Sequence, residues 1–273
     1  MTIRTRNRLF FIFFALACLC AIINGIYLVW GFLQGMVSAP VGAVRTFYLF
    51  SKIIPQNFTA TIIATSFFAF YVPVVVAFLY FGFEKTQSLE IIYFFAFLIG
   101  CLFEVSRLLV PIDSLWRTTS SPLLVIGRIV IAGRVLAPIG LLFASLFSSN
   151  DQRQNVERNF VIMVVIAILV GKLFPLNTMK TTTTCTVQWG YTKLFSTLRF
   201  CILFVTVLTL FISSYRNNSP EFKNESVGCL SLESGYYFLC AADNYVFLIL
   251  GSILLTLGTF LYLRAIHSIY LWR

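Results

Sequence analysis

Seven apolar segments, each close to the length needed to cross a bilayer, dominate this sequence of 273 residues. A spanning helix needs about 20 mostly apolar residues, because each residue adds about 1.5 Å across a hydrocarbon core of about 30 Å. The segments lie at 9–33, 60–81, 89–112, 122–147, 160–174, 195–212 and 245–266. Backbone polar groups find no partners in lipid, so such segments fold as helices. The sequence therefore predicts an all-α, polytopic membrane helix bundle with about seven transmembrane helices.

Composition supports this prediction and points to one domain. Hydrophobic residues make up 59% of the chain and charged residues 11%, a balance that a soluble domain cannot bury. We therefore expect a single transmembrane domain over residues 1–273, with no soluble domain. The longest connections between the segments lie at 34–59, 176–194 and 213–244.

The first segment has a second interpretation. Three arginines within the first eight residues precede a short apolar run and small residues before Cys18, which is also the outline of a cleaved signal peptide. However, the apolar run continues to Leu33, and Ala15 stands where a lipoprotein signal usually has leucine. We expect the segment to be a retained helix.

Loop charges predict the orientation. The chain has 20 basic residues, and twelve of them fall on the side that would hold the first, third and fifth connections and the C-terminus. The positive-inside rule favours that side in the cytoplasm. The acidic connection at 213–244 lies on the other side and contains Cys229 and Cys240, at a spacing that a disulfide can close. We predict a multi-pass cell-membrane protein with an outside N-terminus, a cytoplasmic C-terminus and a Cys229–Cys240 disulfide.

Four charged residues interrupt the third and fourth apolar segments: Glu104, Arg107, Arg128 and Arg134. Helical spacing places Glu104 and Arg107 on one face. In an antiparallel hairpin Glu104 lies roughly 12 Å deep, between Arg128 at roughly 9 Å and Arg134 at roughly 18 Å. Each charge at mid-helix costs about 2.5 to 3.5 kcal/mol, so we expect the group to face the bundle interior or a wet cavity.

Three arginines in this group share one glutamate, which permits three interpretations. Uncompensated guanidinium attracts carboxylate and phosphate, so the group is a candidate site for an anionic ligand or a lipid headgroup. In the structural interpretation Glu104 and Arg134 form one buried ion pair, while Arg107 and Arg128 extend to the interface. In the third, Glu104 couples protons or ions.

The fourth segment also contains a stripe of small residues. Gly133, Ala137, Gly140 and Ala144 follow one another at steps of four, three and four. Small residues at such spacing let two helix backbones approach closely. We expect a helix seam along this stripe, with Arg134 beside it.

Catalytic and metal-binding motifs are absent from the sequence. It contains no HExxH, GxSxG or Walker loop, so we expect no enzymatic activity and no cofactor, although Glu104 leaves an intramembrane enzyme open. His267 is the one histidine, and no metal site is expected. The net charge of +10 comes from scattered residues, so nucleic acid is not an expected partner.

Two classes of function fit these observations. In the first, the protein is a seven-helix binding or sensory component with an intramembrane anion or lipid-headgroup site. Such a component would work with a partner membrane or signalling protein, because no output domain is expected. In the second, it is a permease or transporter subunit for an anionic solute. The simplest alternative is a structural membrane partner protein, and membrane lipids are expected partners in every case.

Overall fold

The computed structural model describes residues 3–35, 37, 39, 43–45, 55–83, 88–111, 121–148, 155–217 and 220–271. These residues contain eight α-helices: α1 (Ile3–Leu33), α2 (Phe58–Gly82), α3 (Leu89–Glu104), α4 (Ser121–Phe147), α5 (Val156–Leu173), α6 (Thr192–Asn217), α7 (Pro220–Cys240) and α8 (Tyr245–Leu271). A 3₁₀ helix, Val105–Leu109, continues α3. An antiparallel hairpin of β1 (Leu176–Thr181) and β2 (Val187–Trp189) joins α5 to α6. The predicted all-α membrane bundle is confirmed.

Six of the helices in the described ranges are long and apolar enough to cross a membrane: α1, α2, α3 with its 3₁₀ extension, α4, α6 and α8. They correspond to six of the seven predicted segments. The remaining segment forms α5, whose 18 residues carry Glu157, Arg158 and Lys172 near its ends. The predicted end of the third segment at Ile112 lies outside the described residues.

Helix α7 is the largest departure from the sequence prediction. Acidic residues make 213–244 appear to be a polar connection, yet most of it is helical. The buried apolar side chains of α7 recur at helical spacing, at Phe222, Cys229, Leu232, Tyr236 and Leu239. That spacing gives α7 an apolar face despite its low mean hydropathy.

Glycines hold α7 against α8. Gly228 and Gly235 on α7 meet Gly258 and Gly251 on α8. A Cβ atom at Gly235 would lie 2.4 Å from the backbone nitrogen of Leu255, a distance that no side chain can occupy. The two backbones are therefore in direct contact, as in other small-residue membrane seams.

The predicted small-residue seam of the fourth segment is confirmed between α3 and α4. A Cβ atom at Gly133 would lie 2.7 Å from the Phe103 Cβ atom, and one at Gly140 would lie 2.9 Å from the backbone nitrogen of Phe97. On the facing helix, Gly100 allows the same approach to Ala137. This tight contact fixes the register of α3 against α4.

The start of α1 and the end of α8 lie at the same end of the bundle. Arg6, early in α1, donates a 2.8 Å hydrogen bond to the carbonyl of Phe83, just beyond α2. The Phe83 ring centroid lies 5.8 Å from that of His267, late in α8. We call this the termini end. The sequence predicts termini on opposite sides of the membrane, whereas here the start of α1 and the end of α8 lie near each other, because α7 adds one more reversal of the chain.

The opposite end of the bundle contains the β-hairpin, and we call it the hairpin end. There the backbone N–H of Asn57 donates to the carbonyl of Asp243 at 2.8 Å. The hydroxyl of Thr61 donates to the carbonyls of Ala242 at 3.1 Å and Thr183 at 3.3 Å. These bonds join the start of α2, the β-hairpin and the α7–α8 connection.

The predicted disulfide between Cys229 and Cys240 does not form in this fold. Both thiols are free and buried, and both belong to α7. Eleven residues of helix separate them by about 16 Å, whereas a disulfide needs Cα atoms within about 7 Å.

Candidate functional site

Three of the four predicted site residues meet in one buried cluster. Arg134 donates to Glu104 from Nε to Oε1 at 2.7 Å and from Nη2 to Oε2 at 3.2 Å. Arg107 Nη1 lies 3.1 Å from Glu104 Oε2. All three side chains are buried. We call these residues the Glu104 cluster; anion binding by it stays a prediction.

Protein groups take up part of the remaining guanidinium donors of the cluster. Arg107 donates from Nη1 to the Cys240 carbonyl and from Nη2 to the Thr65 hydroxyl, both at 2.9 Å. The Arg134 guanidinium lies 4.9 Å from the centroid of the Trp189 ring. Arg107 Nε is buried and has no hydrogen-bond acceptor within the described part of the chain.

Helix α7 closes the cluster from one side. The Tyr236 hydroxyl donates to Glu104 Oε1 at 3.3 Å. The rings of Phe68 and Phe97 each pack 5.7 Å from the Tyr236 ring. The Glu104 cluster therefore links α2, α3, α4, α7 and β2.

Arg128 does not join this cluster. It is exposed on α4, six positions before Arg134. At 3.6 residues a turn, six positions turn the side chain about 120° from that of Arg134. The structure therefore brings together three of the four predicted residues and leaves Arg128 outside the cluster, as the structural interpretation expected.

A second pair of buried charges, absent from the predicted site, lies between α6 and α7. Arg199 is 9% exposed and Glu233 is 4% exposed. Arg199 is seven residues after the start of α6, and Glu233 is seven before the end of α7. Both therefore lie about 10 Å from the hairpin end.

Aromatic rings hold the Arg199 guanidinium. Its central carbon lies 5.0 Å from the ring centroid of Tyr237, 5.5 Å from that of Tyr236 and 5.9 Å from that of Phe195. Such cation–π contacts support the charge without using its N–H donors. No residue in the described ranges accepts a hydrogen bond from this guanidinium or forms an ion pair with it within 4.0 Å.

Arg199 and Glu233 line one open pocket of about 190 Å³ between α6 and α7. The other lining residues are Ser196, Phe200, Leu203, Ser234, Tyr237 and Phe238. Phe200 is 68% exposed on the outer surface of α6, so the pocket opens toward the lipid side of the bundle. Glu233 Oε2 is buried and, among the described residues, has no hydrogen-bond partner.

The sequence contained partial signals for this pocket. Arg199 falls within the sixth apolar segment, but its partner Glu233 lies in a stretch that appeared to be a loop. The two are 34 positions apart, and only the helical fold of α7 brings them together. The apolar spacing of α7 is the signal that could have located this helix.

A third buried acidic group lies toward the termini end. Glu225 of α7 is fully buried, and neither carboxylate oxygen has a hydrogen-bond partner in the described part of the chain. It interacts electrostatically with Glu90 of α3. Two ionised carboxylates in this position repel each other. Among the described residues, no group of three or more His, Cys, Asp and Glu side chains is arranged to hold a metal ion.

The fold and these sites define a class: a polytopic membrane helix bundle with charged residues buried between its helices. Comparisons with the models of known protein families, with curated proteins and with solved structures find no match to this chain. Its function is therefore inferred from its own geometry.

Proposed function

We propose that the protein is a membrane-embedded binding component that takes a lipid headgroup into the pocket between α6 and α7. The observation that carries this proposal is the pocket shared by Arg199 and Glu233. Among the described residues, the buried Glu233 Oε2 has no hydrogen-bond donor and the Arg199 guanidinium has no acceptor. Unpaired polar groups are costly away from water, so a bound group that satisfies both is favoured.

The depth of the pocket supports a lipid ligand. Helix α6 has 26 residues and is about 39 Å long, about 9 Å longer than the hydrocarbon core. If the excess is shared between its ends, Arg199 lies about 6 Å below the hydrocarbon boundary. This is just beneath the headgroups, and the apolar mouth at Phe200 faces the acyl chains.

The Glu104 cluster has a structural role in this proposal. Its guanidinium groups bind Glu104, the Cys240 carbonyl and the Thr65 hydroxyl, which leaves the headgroup to Arg199. A component of this kind transmits binding through a separate partner protein that contacts the bundle.

Lipid retention tests the proposed site. The protein is purified in mild detergent, and its bound lipids are measured by native mass spectrometry before and after Arg199→Gln. We expect the variant to lose the retained lipid, while Arg128→Gln, the same change at an exposed arginine of α4, keeps it. Equal retention in all three proteins, with equal melting temperatures, would refute the proposal.

Transport of an anionic solute is a second candidate, favoured by one observation. Helix α7 carries buried ionisable groups along most of its length, from Glu225 through Glu233 to Tyr236. Acidic groups inside a membrane often mark proton or ion pathways. Uptake of a labelled anion into proteoliposomes that depends on a proton gradient, and is lost in Glu225→Gln, would select transport. Saturable binding without flux would select the binding component.

We further propose that the protein lies in the cell membrane with its termini end in the cytoplasm. Exposed basic residues at that end include Arg4, Arg8, Arg216, Lys223 and Arg264. Exposed basic residues at the hairpin end include Arg128, Lys172, Lys180 and Lys193. Three further arginines at that end are buried within the bundle and do not act as loop charges: Arg107, Arg134 and Arg199. The positive-inside rule therefore favours a cytoplasmic termini end.

A further inference from the structure

We propose that the pocket between α6 and α7 is selective for a lipid whose headgroup carries both a phosphate and a primary ammonium, as phosphatidylethanolamine does. This inference rests on the proposed headgroup site and adds the chemical class of the lipid. It follows from the two charges of the pocket considered together.

Arg199 supplies the phosphate half of the site. Its guanidinium is held against the Tyr237 ring at 5.0 Å, and its N–H donors have no acceptor among the described residues. A guanidinium whose face packs on a ring keeps its N–H edge available. That edge matches the geometry of phosphate oxygens and forms paired, charge-assisted hydrogen bonds.

Glu233 supplies the ammonium half. Its Oε2 atom is buried and lacks a donor within the described ranges. Arg199 acts on Glu233 electrostatically, yet the two side chains form no ion pair within 4.0 Å. The gap between them leaves room for a group that donates to one and accepts from the other.

An N–H donor distinguishes ethanolamine from choline. Aromatic rings such as Tyr237 and Phe238 attract any ammonium, quaternary or primary. A carboxylate oxygen without a partner accepts a hydrogen bond from a primary ammonium, whereas a quaternary ammonium has no N–H group to donate. Glu233 therefore favours ethanolamine over choline.

Net charge distinguishes ethanolamine lipids from purely anionic ones. The pocket contains one basic and one acidic side chain, so a zwitterionic headgroup pairs both. An anionic headgroup such as phosphoglycerol would pair Arg199 but offer Glu233 only a neutral hydroxyl donor, which forms a weaker hydrogen bond than an ammonium does.

The size and surroundings of the pocket commit the ligand to a lipid. Its volume of about 190 Å³ accommodates a small head but not acyl chains. The chains would lie along the exposed apolar surface of α6, where Phe200 and Phe204 project outward. A water-soluble phosphoethanolamine would lack these contacts.

Competitive lipid retention tests the inference. The protein is reconstituted in nanodiscs with equal amounts of phosphatidylethanolamine, phosphatidylcholine and phosphatidylglycerol, extracted in mild detergent, and examined by native mass spectrometry. We expect preferential retention of phosphatidylethanolamine over the other two lipids by about tenfold or more, the effect of one hydrogen bond to a charged group.

Variants separate this inference from the proposed function. Glu233→Gln should lose the preference but keep lipid, whereas Arg199→Gln should lose all three lipids and Arg199→Lys should recover part of the binding. The inference would be overturned if the wild type retained phosphatidylglycerol and phosphatidylethanolamine equally and Glu233→Gln had no effect on retention. The proposed headgroup site would not be contradicted by that result. Retention that is independent of Arg199 would overturn both.

A soluble competitor tests the commitment to lipid. Glycerophosphoethanolamine, which has the same head but no acyl chains, should not displace the retained lipid at equal concentration. Displacement at equal concentration would overturn the lipid assignment, because a free zwitterion would then be a sufficient ligand. Melting temperatures of all variants, compared with Arg128→Gln, show whether each protein is folded.

Discussion

Arg134 binds both carboxylate oxygens of Glu104, thirty positions earlier in the chain, at 2.7 and 3.2 Å. The pair joins α3 to α4 beside the seam formed by Gly100, Gly133 and Gly140. Both side chains are buried, so the loss of one leaves the other charged and without its main partner. The pair therefore favours this register of α3 against α4 over any register that separates the two side chains.

Removing one member of this pair should destabilise the bundle strongly. We expect Glu104→Gln to cost about 3–5 kcal/mol, because it leaves two buried arginines without their carboxylate. Arg134→Gln should cost less, because Arg107 still pairs with Glu104 at 3.1 Å. The double variant should cost less than the sum of the two, by about 0.5–3 kcal/mol. Thermal unfolding in detergent, monitored by size-exclusion chromatography, measures the loss of stability in the three variants. A loss in the double variant equal to the sum of the two single losses would contradict the pairing.

The α7–α8 seam should not tolerate a single added methyl group. In Gly235→Ala the new Cβ would lie 2.4 Å from the Leu255 nitrogen, so the helices must separate. We expect a loss of about 1–3 kcal/mol, typical of overpacking. Gly25→Ala is the matched control, since nothing lies within 4 Å of a Cβ there. Equal melting temperatures for the two variants would rule out the close approach of α7 and α8.

Topology reporters should detect both termini on the same side of the membrane. The hydrogen bond from Arg6 to Phe83 and the ring contact of Phe83 with His267 bring the two chain ends together. Fluorescent proteins that are active only in the cytoplasm, fused before Met1 and after Arg273, should both be active. Activity of one fusion alone would mean an odd number of crossings and would contradict the fold.

The thiol of Cys185, in the turn between β1 and β2, should be unreactive. Burial raises its pKa to about 12, against an ordinary value of about 8.5, so almost none of it is thiolate at pH 8. Since the raised pKa disfavours the reactive form, labelling should stay slow until the pH approaches 12 or the hairpin opens. Maleimide labelling at pH 8, mapped by mass spectrometry in folded and denatured protein, measures this. Rapid labelling of Cys185 in the folded protein would show that the turn is open.

The spans and the Glu104 cluster were accessible from the sequence because their signals are local. Apolar runs identify the helices, and a short connection brings Glu104 and Arg134 to similar depth on adjacent helices. The pocket of Arg199 and Glu233 was not accessible, because it depends on α7 being a helix. Glu225 and Glu233 lower the mean hydropathy of that segment, so it does not resemble a membrane helix. Mean hydropathy does not include the energy that α7 gains by packing on α8.

This packing has a consequence for how the chain enters the membrane. A segment as polar as α7 has no strong tendency to leave the translocon for lipid by itself. In the bundle it packs on α8 through the glycine contact, and the first residue of α8 is Tyr245. We therefore expect α7 to insert only after α8 has been synthesised, as one helical hairpin. In biogenesis the pocket between α6 and α7 is thus among the last features of the protein to form.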